Sequence, residues 1–392
     1  MISPVLPAYA RAPLSFVEGQ GSWLTEESGE RYLDLGAGIA VNALGHAHPA
    51  LVKVVEEQAR RLWHTSNLYR VPKQEELAQK LVDLTFADTV FFGNSGTEAM
   101  ECAIKMARIY FAGSDTPERH RLITFDGSFH GRTIAAISAV GTEKLTKGFG
   151  PMLPGFDQAS FGDIASVEAV VGPETAGVIV EPIQGEGGIR SAPEGFLRDL
   201  RELCDRHGIL LIMDEIQTGV ARTGKLFAHE WSGVTPDIMT VAKGIGGGFP
   251  LGACLATEDA ARGMTAGTHG STYGGNPMAC AVGSAVIDTV SNPEFLAEVS
   301  RTAGRFRQGL EALVASHPDV FESVRGEGLM IGVVCRAPNM DVVNAGYGEH
   351  VLTVPAGENV MRILPPLNIT ADEVDEALTR LDKAATAVET AA

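Results

Sequence analysis

Gly208–Gly219 reads GILLIMDEIQTG. Five apolar residues, Ile209–Met213, run without interruption and stop at two carboxylates. A strand with one wet face alternates apolar and polar residues, whereas an unbroken apolar run belongs to a strand covered on both faces. The same texture recurs at Thr89–Phe92, Leu122–Phe125, Gly177–Val180 and Ile238–Ala242. Helical patterns lie between these runs. One is Ser95–Ala112, which Ser95 or Thr97 can cap, and another is Gly195–Gly208, which ends on glycine. This alternation predicts an α/β fold: a mostly parallel central sheet with helices on both faces. Ligands of such sheets bind at the carboxyl ends of the strands, and each of these runs has polar residues and glycine there.

Working outward, the texture changes after Gly274–Pro277 (GGNP). Helical stretches at Met278–Val290 and Phe295–Ser316 precede strand-like pieces near Gly328–Val334, and a last helix is expected at Ala371–Val388, after Thr370. The organisation expected is an N-terminal segment, residues 1–45, packed with a smaller C-terminal α+β domain, residues 276–392, and a large domain at residues 46–275. The 392 residues, 45% of them apolar, suffice for a large core. The formal net charge of -18 argues against nucleic acid or an anionic membrane as partner. Five dispersed cysteines without a CxxC pair read as reduced thiols rather than a zinc site or disulfide framework. No signal peptide and no long apolar span is legible, so a cytoplasmic location is expected.

Three short segments carry chemistry. Asp214 ends the opening strand; it either caps the next element or presents a carboxylate to a cationic ring nitrogen. Lys243 stands in TVAKGIGGGFPLGA (Thr240–Ala253), at the end of another apolar run. It could bind a phosphate or snorkel from the strand end, but a desolvated lysine also loses its proton more easily and can form a Schiff base. FFGNSGTEA (Phe91–Ala99) is strand, turn and helix start, where free amides and the helix dipole suit an anion; Gly96 and Thr97 sit on it. A lysine for an aldehyde, a carboxylate for a pyridinium nitrogen and a phosphate cradle together match pyridoxal phosphate.

Other motifs do not hold up. GVARTGKL (Gly219–Leu226) resembles a P-loop, but Leu226 occupies the place of the magnesium-binding hydroxyl. GAGIAV (Gly36–Val41) lacks the third glycine of a dinucleotide loop. His46 and His48 have no acidic or thiol ligands close in sequence, and no metal is expected.

GIAVNALGHAHP, FFGNSGTEA, FHGRT, VEPIQGEGG, DEIQTGVARTGKL, AKGIGGGFPLGA, GTHGSTYGGNP and RILPPLNI follow one another along almost the whole chain. In these segments and their order the chain resembles the class III, fold-type-I pyridoxal-phosphate aminotransferases, in their ornithine-type branch. The resemblance implies that Lys243 holds the cofactor and Asp214 pairs with its ring nitrogen. It also implies that Gln217 bonds the ring oxygen, Phe129 stacks on the ring, and Gly96 and Thr97 cradle the phosphate. Glu215 and Ile216, inside DEIQTG, are counted with the cofactor shell. Thr272 would reach the phosphate of a second subunit, with Ser271 near substrate in the same way, so a homodimer is implied.

For substrate, the resemblance implies that Arg132 grips an α-carboxylate and that Arg362 binds the α-carboxylate of glutamate or 2-oxoglutarate. Glu186 neutralises Arg362 when no second carboxylate is present, and Tyr9 touches substrate. Ornithine-using relatives carry a tyrosine where Gly38 and Ile39 stand here, a loss that suits an N-acylated substrate. The reaction implied moves the δ-amino group of N2-acetyl-L-ornithine to 2-oxoglutarate, as in arginine biosynthesis. The alternatives are succinylornithine, succinyl-diaminopimelate, ornithine or 4-aminobutyrate as amine donor, or an intramolecular amine shift as in an aminomutase.

Overall fold

A computed structural model describes residues 4–391; the first three residues of the expected N-terminal segment and Ala392 lie outside the described residues. At its centre is a seven-stranded sheet in the order Thr89–Gly93, Gly252–Ala256, Ile238–Val241, Leu210–Asp214, Thr175–Val180, Arg121–Phe125, Phe156–Ala159. All pairings are parallel except those of Gly252–Ala256, which runs antiparallel to both neighbours. The five expected strands are present. Their apolar texture has the expected cause, because every residue of Thr175–Val180 and of Leu210–Asp214 is buried.

Two strands of this sheet are not legible as apolar runs. Phe156–Ala159 is an edge strand carrying Asp157 and Gln158, and Asp157 there pairs with Arg121 of its neighbour. Gly252–Ala256 consists of small residues, and it returns beside Ile238–Val241 after a turn in which Gly247 and Gly248 have positive φ. A return that short cannot make a parallel crossover, so the strand runs antiparallel.

The helices follow their patterns closely. Gly96–Ala112 is capped by Ser95, whose side chain accepts from the amide of Glu98, so Ser95 rather than Thr97 is the cap. Phe196–His207 ends at Gly208, in the left-handed conformation (φ 59°) that favours glycine. The last helix, Ala371–Ala391, is boxed at its start by Thr370 and Glu373, each side chain bonding the other's amide.

Strands Phe321–Glu327, Met330–Cys335, Val360–Ile363 and Val354–Ala356 form a second, antiparallel sheet. The N-terminal strands Phe16–Gln20, Trp23–Glu26 and Arg31–Asp34 form a third, joined in parallel by Val351–Leu352 from the C-terminal part. Ser22 and Trp23 also donate to Glu373 on the last helix. Pro277–Val290 packs on helices Pro49–Ala59 and Pro72–Leu84 and against the turn that carries Lys243.

Candidate active site

The carboxyl ends of five strands open onto one cavity of about 360 Å³. Asn94–Thr97 follow the first strand, Phe129–Gly131 the Arg121–Phe125 strand, and Glu181 and Glu186 the Thr175–Val180 strand. Asp214, Ile216 and Gln217 come from Leu210–Asp214, and Lys243 from Ile238–Val241. The sheet thus converges residues nearly 150 positions apart on one point.

Lys243 adopts a φ of 47°, a left-handed conformation that costs a non-glycine residue on the order of 1 kcal/mol or more. It leaves its strand at once and turns into the cavity wall. Burial lowers its pKa to about 8; the Arg362 charge acts in the same direction, and Glu186, Asp214 and Glu181 oppose it. Near neutral pH roughly a tenth of this amine is therefore unprotonated and nucleophilic, far more than for an ordinary lysine.

Asp214 is buried. Its Oδ2 lies 2.7 Å from His130 Nδ1, and its Oδ1 accepts from the amide of Ile216 at 3.1 Å. Burial of the His130 imidazole opposes protonation, but the hydrogen bond and charge of Asp214, with the charge of Glu181, outweigh it and raise the pKa. An imidazolium beside Asp214 gives that buried carboxylate a hydrogen-bonded counter-charge.

Glu181 is the second buried carboxyl. Met213 pairs with Val180 across the sheet, so Asp214 and Glu181 are the next residues on adjacent parallel strands. Glu181 accepts from the amide of Phe129 at 3.0 Å. Burial pushes its carboxyl up to about 8; His130 works against this and Asp214 adds to it. Between its ordinary 4.5 and about 8 the folded chain holds a proton that the unfolded chain has released. This group therefore removes stability as pH rises through that window. Glu181→Gln cannot ionise, so its melting temperature should gain on the natural protein's between pH 5 and pH 8. A gap that stays constant over that range would mean Glu181 is already ionised in the fold.

The cavity fits pyridoxal phosphate. Phe129 and Ile216 line it as apolar walls. A Cβ at position 96 would fall 2.8 Å from Ile216, so only glycine leaves this approach open. The first turn of Gly96–Ala112 has amides without intrahelical partners, an anion site by construction. Gln217 Oε1 and His130 Nε2 are buried without a hydrogen-bond partner among the described residues. Orphaned polar atoms of this kind mark a site completed by a group from outside the chain.

The remaining sequence-derived residues are distributed as follows. Arg132 is exposed, with its guanidinium carbon 5.3 Å from the centre of the Phe129 ring. Arg362 is buried in the second sheet and donates to Glu186 Oε1 at 2.6 Å and to the Pro355 carbonyl at 3.1 Å; its Nε has no partner. Ser271 bonds Glu98 at 3.1 Å and Asn94 at 3.2 Å in its own chain, whereas Thr272 is exposed. Tyr9 is exposed and, among the described residues, has no hydrogen bond or ring contact. Glu215 is turned away from the cavity: it accepts from Thr218 and from the amides of Ala228 and His229, so its contribution is to hold the turn behind Asp214 and Gln217. His46 is bonded to Asp34 at 2.7 Å.

Sequence reasoning overlooked Glu181 and His130, although both stand inside motifs it quoted. The signal for Glu181 was a carboxylate placed directly after an apolar strand, as in Asp214; for His130 it was adjacency to Phe129.

Residues 7–385 match the family Aminotransferase class-III. The acetylornithine aminotransferase of Rhodobacter capsulatus is 65% identical over 390 residues, covering 100% of this chain and 99% of that protein. Among solved structures, the ornithine aminotransferase of Toxoplasma gondii superposes with a TM-score of 0.95 at 33% identity, over 99% of this chain and 94% of that one. The N-acetylornithine aminotransferase of Stenotrophomonas maltophilia does so with a TM-score of 0.86 at 40% identity, over 98% of both chains.

Proposed function

The chain belongs to the class III aminotransferases, which depend on pyridoxal phosphate, and on that premise we propose that it transfers the δ-amino group of N2-acetyl-L-ornithine to 2-oxoglutarate. The products are N-acetyl-L-glutamate 5-semialdehyde and L-glutamate, a step of arginine biosynthesis. The observation that carries this reading is the 2.6 Å pair between Arg362 and Glu186, a residue of the cavity lining, together with a second arginine, Arg132, stacked on the cavity-lining Phe129. One amine donor and one keto acid have to use the same lysine, and they differ in where their carboxylates lie.

When bound, the cofactor supplies an electron sink for the carbanion formed as a proton leaves the substrate carbon. Lys243 Nζ would hold the cofactor and would accept and return the proton at the substrate carbon. Asp214, with His130 as its hydrogen-bonded partner, would hold a proton on the ring nitrogen. Gln217 donates to the ring oxygen, and Gly96 and Thr97 bind the phosphate. Arg132 grips the α-carboxylate of acetylornithine, which directs the far δ-amine inward, while Glu186 covers Arg362. 2-Oxoglutarate brings a carboxylate that displaces Glu186 from Arg362.

Steady-state comparison of acetylornithine, succinylornithine, ornithine and 4-aminobutyrate, each with 2-oxoglutarate, tests the reading. Acetylornithine should have the highest kcat/KM, and a larger value for any of the others would replace it. Turnover without a keto acid would point to an aminomutase. Arg132→Ala should raise the KM for acetylornithine by about 10- to 100-fold while leaving the cofactor bound, because a bidentate ion pair is removed outside the ring's own anchors. Unchanged kinetics would remove Arg132 from this role.

The working unit in this reading is a homodimer in the cytoplasm. Trp63, Leu68, Tyr69 and Tyr273 are 62–87% exposed around Thr272, an apolar surface that a second copy would cover. A monomeric mass in solution would refute that part. All five cysteines are buried and unpaired, which supports a reducing compartment.

A further inference from the structure

The loop that carries Glu186 is held from the second sheet at more than one place. Glu186 meets Arg362 through its side chain, and its carbonyl accepts from the amide of Gly357 at 2.9 Å. Two residues on, the Gly188 carbonyl accepts from Arg325 Nε at 2.6 Å. The same arginine reaches Glu358 at 2.7 Å, and Glu358 also lies 3.5 Å from Arg190 at the far end of the loop.

The register explains how one sheet makes all these contacts. Arg325 pairs with Gly332, and Gly332 pairs with Arg362, so the three stand on one rung of adjacent antiparallel strands. Residues directly opposite one another share a face. Two arginines therefore point to the same side with a glycine between them. Buried Ile189 fills the gap: a Cβ on Gly332 would come within 2.9 Å of it. Gly188 has a φ of 106°, and a Cβ there would strike Arg325 Nη2 and the Gly357 carbonyl at 2.6 Å. Arg362 thus binds the carboxylate of the loop and Arg325 binds its backbone, from one platform.

We propose that Arg325 is a positioning residue that holds the Glu186 loop in place over Arg362 and so sets the balance between the two substrates. The inference rests on the reading of Glu186 and Arg362 as an exchangeable pair. Without the Arg325 anchor, Glu186 leaves Arg362 more readily. An uncovered, buried guanidinium disfavours a donor that offers it no carboxylate, and it also invites that donor's α-carboxylate to bind in the wrong sense. 2-Oxoglutarate, which has to displace Glu186, meets less opposition.

The test is the KM for acetylornithine and for 2-oxoglutarate in holoenzyme carrying Arg325→Gln, Arg325→Lys or Glu186→Gln. Arg325→Gln should raise the KM for acetylornithine about 5- to 10-fold, the loss of one charge-assisted hydrogen bond, with the KM for 2-oxoglutarate unchanged or lower. Arg325→Lys should restore part of the difference, and Glu186→Gln should show the same split directly. Both KM values rising together, or kcat alone falling, would mean that Arg325 only supports the fold, and the inference fails. A split in Glu186→Gln without one in Arg325→Gln overturns the inference and leaves the exchangeable pair standing. No split in either variant overturns both.

Discussion

Lys243→Ala is expected to lower turnover by at least about 10³-fold, the combined loss of a nucleophile and a general base. No neighbouring group can replace it. Among the described residues lining the cavity there is no second lysine or arginine, and Arg362, whose charge reaches Lys243, is engaged by Glu186. The backbone at position 243 is already in a left-handed conformation, which alanine tolerates no worse than lysine, so the variant should fold. Two measurements check it: the visible absorbance of the covalently held cofactor should vanish, and far-ultraviolet circular dichroism should not change. Retention of that absorbance would reject the assignment of Lys243.

Asp214→Asn should be nearly as severe, with kcat/KM lower by about 10²- to 10³-fold, because it removes a preorganised charge without removing shape. Asparagine can still accept from His130, but it cannot stabilise a protonated ring nitrogen, and it leaves the buried His130 without a counter-charge. The pKa of His130 should therefore fall, which NMR of the imidazole can follow. A variant within about tenfold of the natural rate would mean that the ring nitrogen needs no carboxylate partner.

Much of this site could be read along the chain because its parts are local. The end of an apolar run places Asp214 and Lys243 at strand mouths whatever the neighbouring strands are. Ser95 caps its helix through contacts within four residues, and Gly96 and Thr97 follow from that cap. Strands Thr89–Gly93 and Ile238–Val241 likewise carry their signal as apolar runs, and the helices Gly96–Ala112 and Phe196–His207 carry theirs in a period of 3.6 residues. Strand Gly252–Ala256 does not: GACLA is too small in its side chains to announce itself, and it is a strand because it has two neighbours.

The chain alone determined that the core is a covered parallel sheet and which residue types stand at its strand mouths, since burial on both faces demands apolar runs. Only the tertiary structure decided who meets whom. Asp214 stands beside Glu181 because the strand of residues 175–180 lies next to that of residues 210–214, and it meets His130 because the strand of residues 121–125 lies one place further on. Arg325, Gly332 and Arg362 share a rung because three strands align in one register. Strand order and register are set by the summed packing of the whole sheet, and no segment of the sequence contains that sum. The pKa values of Glu181 and Lys243 belong to the same class, because they are created by the walls that other segments supply.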